Sequence, residues 1–273
     1  MDILLGVVFA LALAALIFVL ITLPQKKPAP VAPLPVAYRL LLAENVPFYQ
    51  ALGTSKQKEF EQRIQHFLSK VRITGINCTI EDIDKVLIAS SAIIPIFNFP
   101  GWEYVNLNEV LLYPGSFNHE FGQEGPDRNI AGMVGTGAMQ RSMILSQAEL
   151  RQGFLNKSGK HNTGIHEFVH LLDKTDGSTD GLPEFLLANH YMKPWLELIH
   201  REIKNIRSNN SDIDPYGATN EAEFFAVVSE YFFERPDLLK EKHPQLYEML
   251  NRIFGEKPGD VPQASKSNEE IRE

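Results

Sequence analysis

The chain has 273 residues, 44% hydrophobic and 22% charged, with 26 Lys and Arg against 34 Asp and Glu for a formal net charge of −8. This composition excludes a wholly disordered or collagen-like chain, and the acidic balance argues against a nucleic-acid partner, which leaves a basic surplus on one face. The single cysteine, Cys78, cannot form an internal disulfide, so any metal site must be built from His, Asp and Glu.

Residues 3–23 carry no charge and are interrupted only by Gly6 and Thr22. At about 1.5 Å per residue, a helix of this length crosses the roughly 30 Å hydrocarbon core of a bilayer. A signal peptide is disfavoured because Met1-Asp2 supplies no basic n-region, and a buried soluble helix because the run has no polar face. Residues 1–23 therefore read as a single-pass transmembrane helix. Lys26, Lys27 and Arg39 follow it and no Lys or Arg precedes it, which places the remainder on the cytoplasmic side. Residues 24–36 hold five prolines and read as an extended linker. Residues 256–273 are polar and read as a disordered tail, which leaves 37–255 as one folded domain.

In that domain residues 37–52 hold a short apolar segment. Thr54 or Ser55 then opens a helix with Phe60, Ile64, Phe67, Leu68 and Val71 at helical spacing. Residues 72–80 read as a short strand or extended connection. Thr79 and Asp82 suggest the cap of a further helix, which Pro95 should end. Strands are expected at 94–98, 108–113 and 141–146, with loops and a hairpin over the glycine-rich stretch 115–137. Gly132, Gly135 and Gly137 make no phosphate loop, since no Lys-Ser/Thr follows them. After residue 160 the pattern is helical, over 162–174, 184–207, 219–234 and 243–254. The expected architecture is α+β, a small mixed sheet followed by a helical half.

The chemistry concentrates in His166-Glu167-Phe168-Val169-His170. On a helix, residues four apart share a face, so both imidazoles can reach one ion at zinc distances. Glu167 is rotated by about 100° and is suited to take a proton from a metal-bound water. Chance places such a motif in roughly 0.02 of chains of this composition. The alternative, two histidines on a helix without metal, leaves a polar trio among Ile165, Phe168, Val169, Leu171 and Leu172 with nothing to satisfy it. The glycine and third histidine of metzincins are missing. Asp173 can be a ligand or a partner of one. Residues 214–233 offer Glu223 and Glu230 on one helix face, either of which can complete the site, while Glu221 reads as a solvated first-turn acid. His119, His161, His190, His200 and His243 read as surface or capping residues, and Asp176-Gly177 and Asp180-Gly181 as a tight turn. Trp102 and Trp195 read as core or pocket lining, and strand 141–146 as an edge able to pair with an extended substrate.

Thr163-Gly-Ile-His-Glu-Phe-Val-His-Leu-Leu-Asp173, followed by the stretch from Tyr216 to Phe233 and preceded by Ser142 to Gly153, resembles the Mlc titration factor A family of zinc-dependent peptidases. The resemblance covers roughly residues 40–255. It implies a zincin-like, gluzincin-type fold related in catalytic core to the lethal factor protease domain, with one zinc per chain. It implies His166 and His170 as zinc ligands, Glu223 as third ligand, Glu167 as general base and Tyr216 as the hydroxyl stabilising the oxyanion. Two departures stand out: the membrane segment, and Asn220-Glu221-Ala222-Glu223-Phe224 where the family commonly reads Asp-Pro-Ala-Glu-Cys. Three functions compete: a membrane-anchored zinc peptidase or aminopeptidase acting on a peptide or protein substrate, a non-catalytic regulatory module binding a cytoplasmic protein partner, and a structural membrane protein with an accidental motif.

Overall fold

The computed structural model describes residues 33–255, apart from 126, 157 and 185. The expected membrane span, most of the linker and the tail from 256 lie outside the described residues. Among the described residues no helix is long and apolar enough to cross a membrane.

Helices α1 (Val36–Asn45), α2 (Pro47–Ala51) and α3 (Thr54–Lys70) lead into strand β1 (Arg72–Gly75) and helix α4 (Asp82–Ile96). Strands β2 (Glu109–Tyr113), β3 (Gly132–Val134) and β4 (Ser142–Ser146) follow, then helices α5 (Gln147–Leu155), α6 (Thr163–Asp173), α7 (Asn189–Arg207), α8 (Glu221–Glu234), α9 (Pro236–Lys242) and α10 (Pro244–Phe254). The α+β expectation holds, but helices also precede the sheet and interrupt it.

The sheet has the order β1-β2-β4-β3, with β1, β2 and β4 parallel and β3 antiparallel to β4. Its pleat sorts the side chains by the two-residue period of a strand. Val110, Leu112, Met143 and Leu145 enter the main core, while Leu111, Tyr113 and Ile144 face a smaller cluster closed by Phe117 and Ile130 of the 114–131 loop. The expected edge strand at 141–146 is therefore an inner strand. The edge on that side belongs to β3, too short and glycine-rich to stand out in the sequence.

Two further expectations are corrected. Residues 94–96 complete α4 instead of opening a strand, and Pro95 lies inside the helix. A proline there costs about 3 kcal/mol, but Ile93, Ile94 and Ile96 are each buried and contribute about 1.5–3 kcal/mol apiece, so burial wins. The helix is capped at Glu81, not Thr79: the Asp84 carboxylate accepts from Glu81 N at 2.8 Å, and Glu81 accepts in return from the third helical residue. Residues 147–155, to which the sequence pattern assigns no element, form a helix, with Ser146 accepting from Glu149 N.

Helix α4 is buried along nearly its whole length and packs on α6. The approach is close because position 164 is glycine; a Cβ there would collide with the Ser91 hydroxyl. On the far side Asp84, fully buried, accepts from Arg151 Nε at 2.7 Å and Nη2 at 2.9 Å, which clamps α4 to α5. These contacts hold α6 between the sheet and the later helices.

Candidate metal centre

Helix α6 starts where the Asn162 side chain accepts from Ile165 N at 3.1 Å, and α8 where the Asn220 side chain accepts from Glu223 N at 2.9 Å. Asparagine is favoured at such positions because its oxygen satisfies first-turn amides. The two helices pack against each other and bring His166, Glu167 and His170 of α6 opposite Glu223 and Glu230 of α8.

His166 Nε2 lies 3.1 Å from His170 Nε2 and 3.0 Å from Glu223 Oε2, and His170 Nε2 lies 3.4 Å from the same oxygen. Donor atoms held about 2.0–2.1 Å from one tetrahedral ion are roughly 3.3–3.4 Å apart. The triangle thus has the size and the donor chemistry for a divalent ion of that kind. Among the described residues, these three form the group able to hold a metal.

The other nitrogen of His166, Nδ1, donates to Glu230 Oε1 at 2.7 Å, and Glu230 Oε2 accepts from Asn162 N at 2.5 Å. In the neutral ring this bond keeps the proton on Nδ1 and leaves the Nε2 lone pair facing the triangle. The same carboxylates favour a cation at this ring. Burial opposes charge on His166, yet the charge of Glu230 and hydrogen bonds with Glu223 and Glu230 hold its pKa well above the ordinary value. Burial also opposes ionisation of Glu223, but both histidines hold its carboxyl well below the usual range. The cluster draws positive charge into itself.

Glu167 is buried beside the triangle, not in it. Burial raises its pKa, and the two histidines only partly offset that. Its side chain rests on Gly132 of β3, where a Cβ would come within 2.5 Å of Glu167 Cγ and 2.7 Å of Oε1. Both residues line a cleft of about 480 Å3 that reaches Tyr216 on the other side.

Tyr216 sits on a single 3₁₀ turn, Pro215–Ala218, opened by Asp214, whose carboxylate accepts from Tyr216 N at 2.7 Å. Its ring is 6.0 Å from that of His166 and it is 54% exposed. Its hydroxyl pKa is pushed up to about 12 by partial burial and by the charges of Glu223 and Glu167, so it stays protonated. The loop before it is held by Asp212, which accepts from Lys160 at 2.6 Å, His243 at 2.7 Å, Lys242 at 3.0 Å and the Tyr231 hydroxyl at 3.0 Å. Burial works against that charge, but these hydrogen bonds hold the Asp212 carboxyl well below its ordinary range.

The structure therefore brings together His166, His170 and Glu223, with Glu167 and Tyr216 beside them on the cleft. Glu230, one of two acids the spacing left open, supports His166 instead of forming a corner. Asp173 is not in the triangle; its Oδ2 accepts from Gly181 N at 2.8 Å and ties down the turn after α6. Glu221 is in the first turn of α8, 3.2 Å from His200. Two histidines read as surface residues, His119 and His161, line the cleft. Neither they nor Gly132 carried a sequence signal, since contacts distant in sequence bring them there.

The model of the family described as glucose-regulated metallo-peptidase M90 matches residues 22–255. The chain belongs to this family. An uncharacterised protein of Synechocystis sp. is 32% identical over 235 residues, 81% of this chain and 84% of its own. The Mlc titration factor A of Pectobacterium atrosepticum is 28% identical, covering 79% of this chain and 85% of its own, and that of Escherichia fergusonii 29%, covering 78% and 84%. The expected kinship with Mlc titration factor A is thereby shown.

Two outcomes follow from this geometry. Glu230→Gln removes the charge behind His166 and should weaken affinity for Zn2+ by about 10–100-fold, read by competition with a chromophoric chelator. Asp212→Asn should lower stability at neutral pH. A depressed carboxyl stabilises above its unfolded pKa of about 3.9 and loses that contribution as pH falls through the folded value. The deficit in urea denaturation should therefore shrink below about pH 4; a deficit constant with pH contradicts the assignment.

Proposed function

We propose that the protein is a zinc-dependent peptidase. The observation that carries this reading is the triangle of His166, His170 and Glu223 beside a buried carboxylate, Glu167, on a cleft of about 480 Å3. His166, His170 and Glu223 would hold one zinc ion, leaving a fourth position open. When bound, zinc supplies a Lewis acid that polarises a peptide carbonyl and lowers the pKa of water toward about 7.

Glu167 takes the proton of the attacking water and passes it to the leaving amine. Its raised pKa suits a group that must first accept and then donate near neutral pH. Tyr216, protonated, donates a hydrogen bond to the oxygen on which charge develops. An extended substrate pairs with the outer edge of β3, whose Gly132 abuts the base. Glu167→Gln should cut peptide cleavage by about 10²–10⁴-fold with zinc content unchanged, and Tyr216→Phe should lower kcat by about 10²–10³-fold. Equal cleavage of a peptide library by the wild type and Glu167→Gln overturns the role of the base.

The apolar run 3–23 and the Lys26-Lys27 pair after it support a single-pass anchor with the peptidase domain on the cytoplasmic side. In sealed right-side-out vesicles the domain should resist added protease and be digested after permeabilisation. Digestion before permeabilisation reverses the orientation.

A second reading, a regulatory module that binds a protein partner, draws on the relatives named Mlc titration factor A. It predicts stoichiometric zinc and no hydrolysis, and the same Glu167→Gln comparison separates it from the first.

A further inference from the structure

Glu234 is the last residue of α8, where local physics opposes an acid. The negative end of the helix dipole disfavours a carboxylate there, and Glu230, one turn earlier, adds a like charge. Burial, with that charge behind it, raises the Glu234 pKa to about 7, against the hydrogen bond it receives from Asn162. Nothing in α8 itself is served by the residue. Its one side-chain partner lies in the next helix to be considered.

That partner is Asn162, fully buried at the start of α6. Its Oδ1 accepts from Ile165 N at 3.1 Å, its Nδ2 donates to Glu234 Oε1 at 2.8 Å, and its backbone N donates to Glu230 Oε2 at 2.5 Å. The other oxygen of Glu230 accepts from His166 Nδ1 at 2.7 Å. The two ends of a primary amide have nearly the same shape, so packing alone cannot choose between them. Turned over, Asn162 would set its NH2 against the Ile165 N–H and its oxygen against the Glu234 carboxyl, losing both bonds. An acceptor at position 234 thus selects the orientation in which Asn162 caps α6. On its other side stands Gly153 of α5, so near that a Cβ there would come within 3.1 Å of Asn162 Cα.

We propose that Glu234 is a positioning residue for the metal centre: by holding the Asn162 amide it fixes the start of α6 and, through Glu230, the ring of His166. Glu234 belongs neither to the triangle nor to the lining of the cleft. The proposal rests on His166, His170 and Glu223 as a metal site, not on peptide cleavage. What the position needs is an acceptor oxygen; a full negative charge is not required.

The test is titration of the full chain, in detergent, with Co2+, whose visible absorption reports ligand geometry, followed by competition with Zn2+. Glu234→Leu, of similar size but with no acceptor, should weaken Zn2+ affinity by about tenfold and change the Co2+ spectrum. Glu234→Gln, which keeps the oxygen without the charge, should restore both to the wild-type values. A residue that serves stability alone would lower the urea midpoint of Glu234→Leu and leave affinity and spectrum untouched, and that result overturns the proposal. So does a Glu234→Gln protein as impaired as Glu234→Leu. Position 234 ends a helix and is only partly buried, and Glu234→Ala takes the place of Glu234→Leu should the latter fail to fold. A wild type that takes up no Co2+ overturns the metal centre and this proposal together. Hydrolysis does not enter the readout, so failure of the peptidase reading is a separate result.

Discussion

Five ionisable side chains meet in the contact between α6 and α8, and the surrounding structure is organised around satisfying them. Isolating one such charge from water costs several kcal/mol. Four of the five answer one another: Glu230 accepts from His166, Glu223 faces both histidines, and Asn162 bonds Glu230 through its backbone and Glu234 through its side chain at 2.8 Å. Asn162 is thus both the cap of one helix and a partner of the other. A shift of either helix by one residue would break the set at several points, so the polar group fixes the register that apolar packing alone leaves loose.

The supports on the back of α6 are of the opposite kind. Phe168 is fully buried against Phe67 and Tyr104, and Gly164 lets α4 come close. Rigid apolar packing behind and a hydrogen-bonded network in front leave the His166 imidazole little freedom. That is the preorganisation a metal site or an electrostatic catalyst requires.

Much of this is legible in the sequence where the signal is local. The histidine pair four residues apart and the acids of 214–233 are short-range patterns, and the helices they announce are present. What is not legible depends on contacts distant in sequence. Glu223 and Glu230 are equivalent on a helical face, and only the crossing with α6 makes one a corner of the triangle and the other a brace for His166. Pro95 is a helix breaker by its chemistry, and the surrounding burial overrides it. Strand β3 has three residues and two neighbouring glycines, so no period could reveal it, yet it displaces β4 from the sheet edge.

That short strand has a consequence for descent. Because the hydrogen on the α-carbon of Gly132 is all that separates the strand from the Glu167 side chain, a side chain at position 132 is incompatible with Glu167 in its present rotamer. A lineage retaining the glutamate in this rotamer must retain the glycine, and a lineage that admits even alanine must retract the strand, turn the Glu167 side chain aside or abandon the acid. The bond of ancestry between the two positions is a steric one, thirty-five residues apart along the chain.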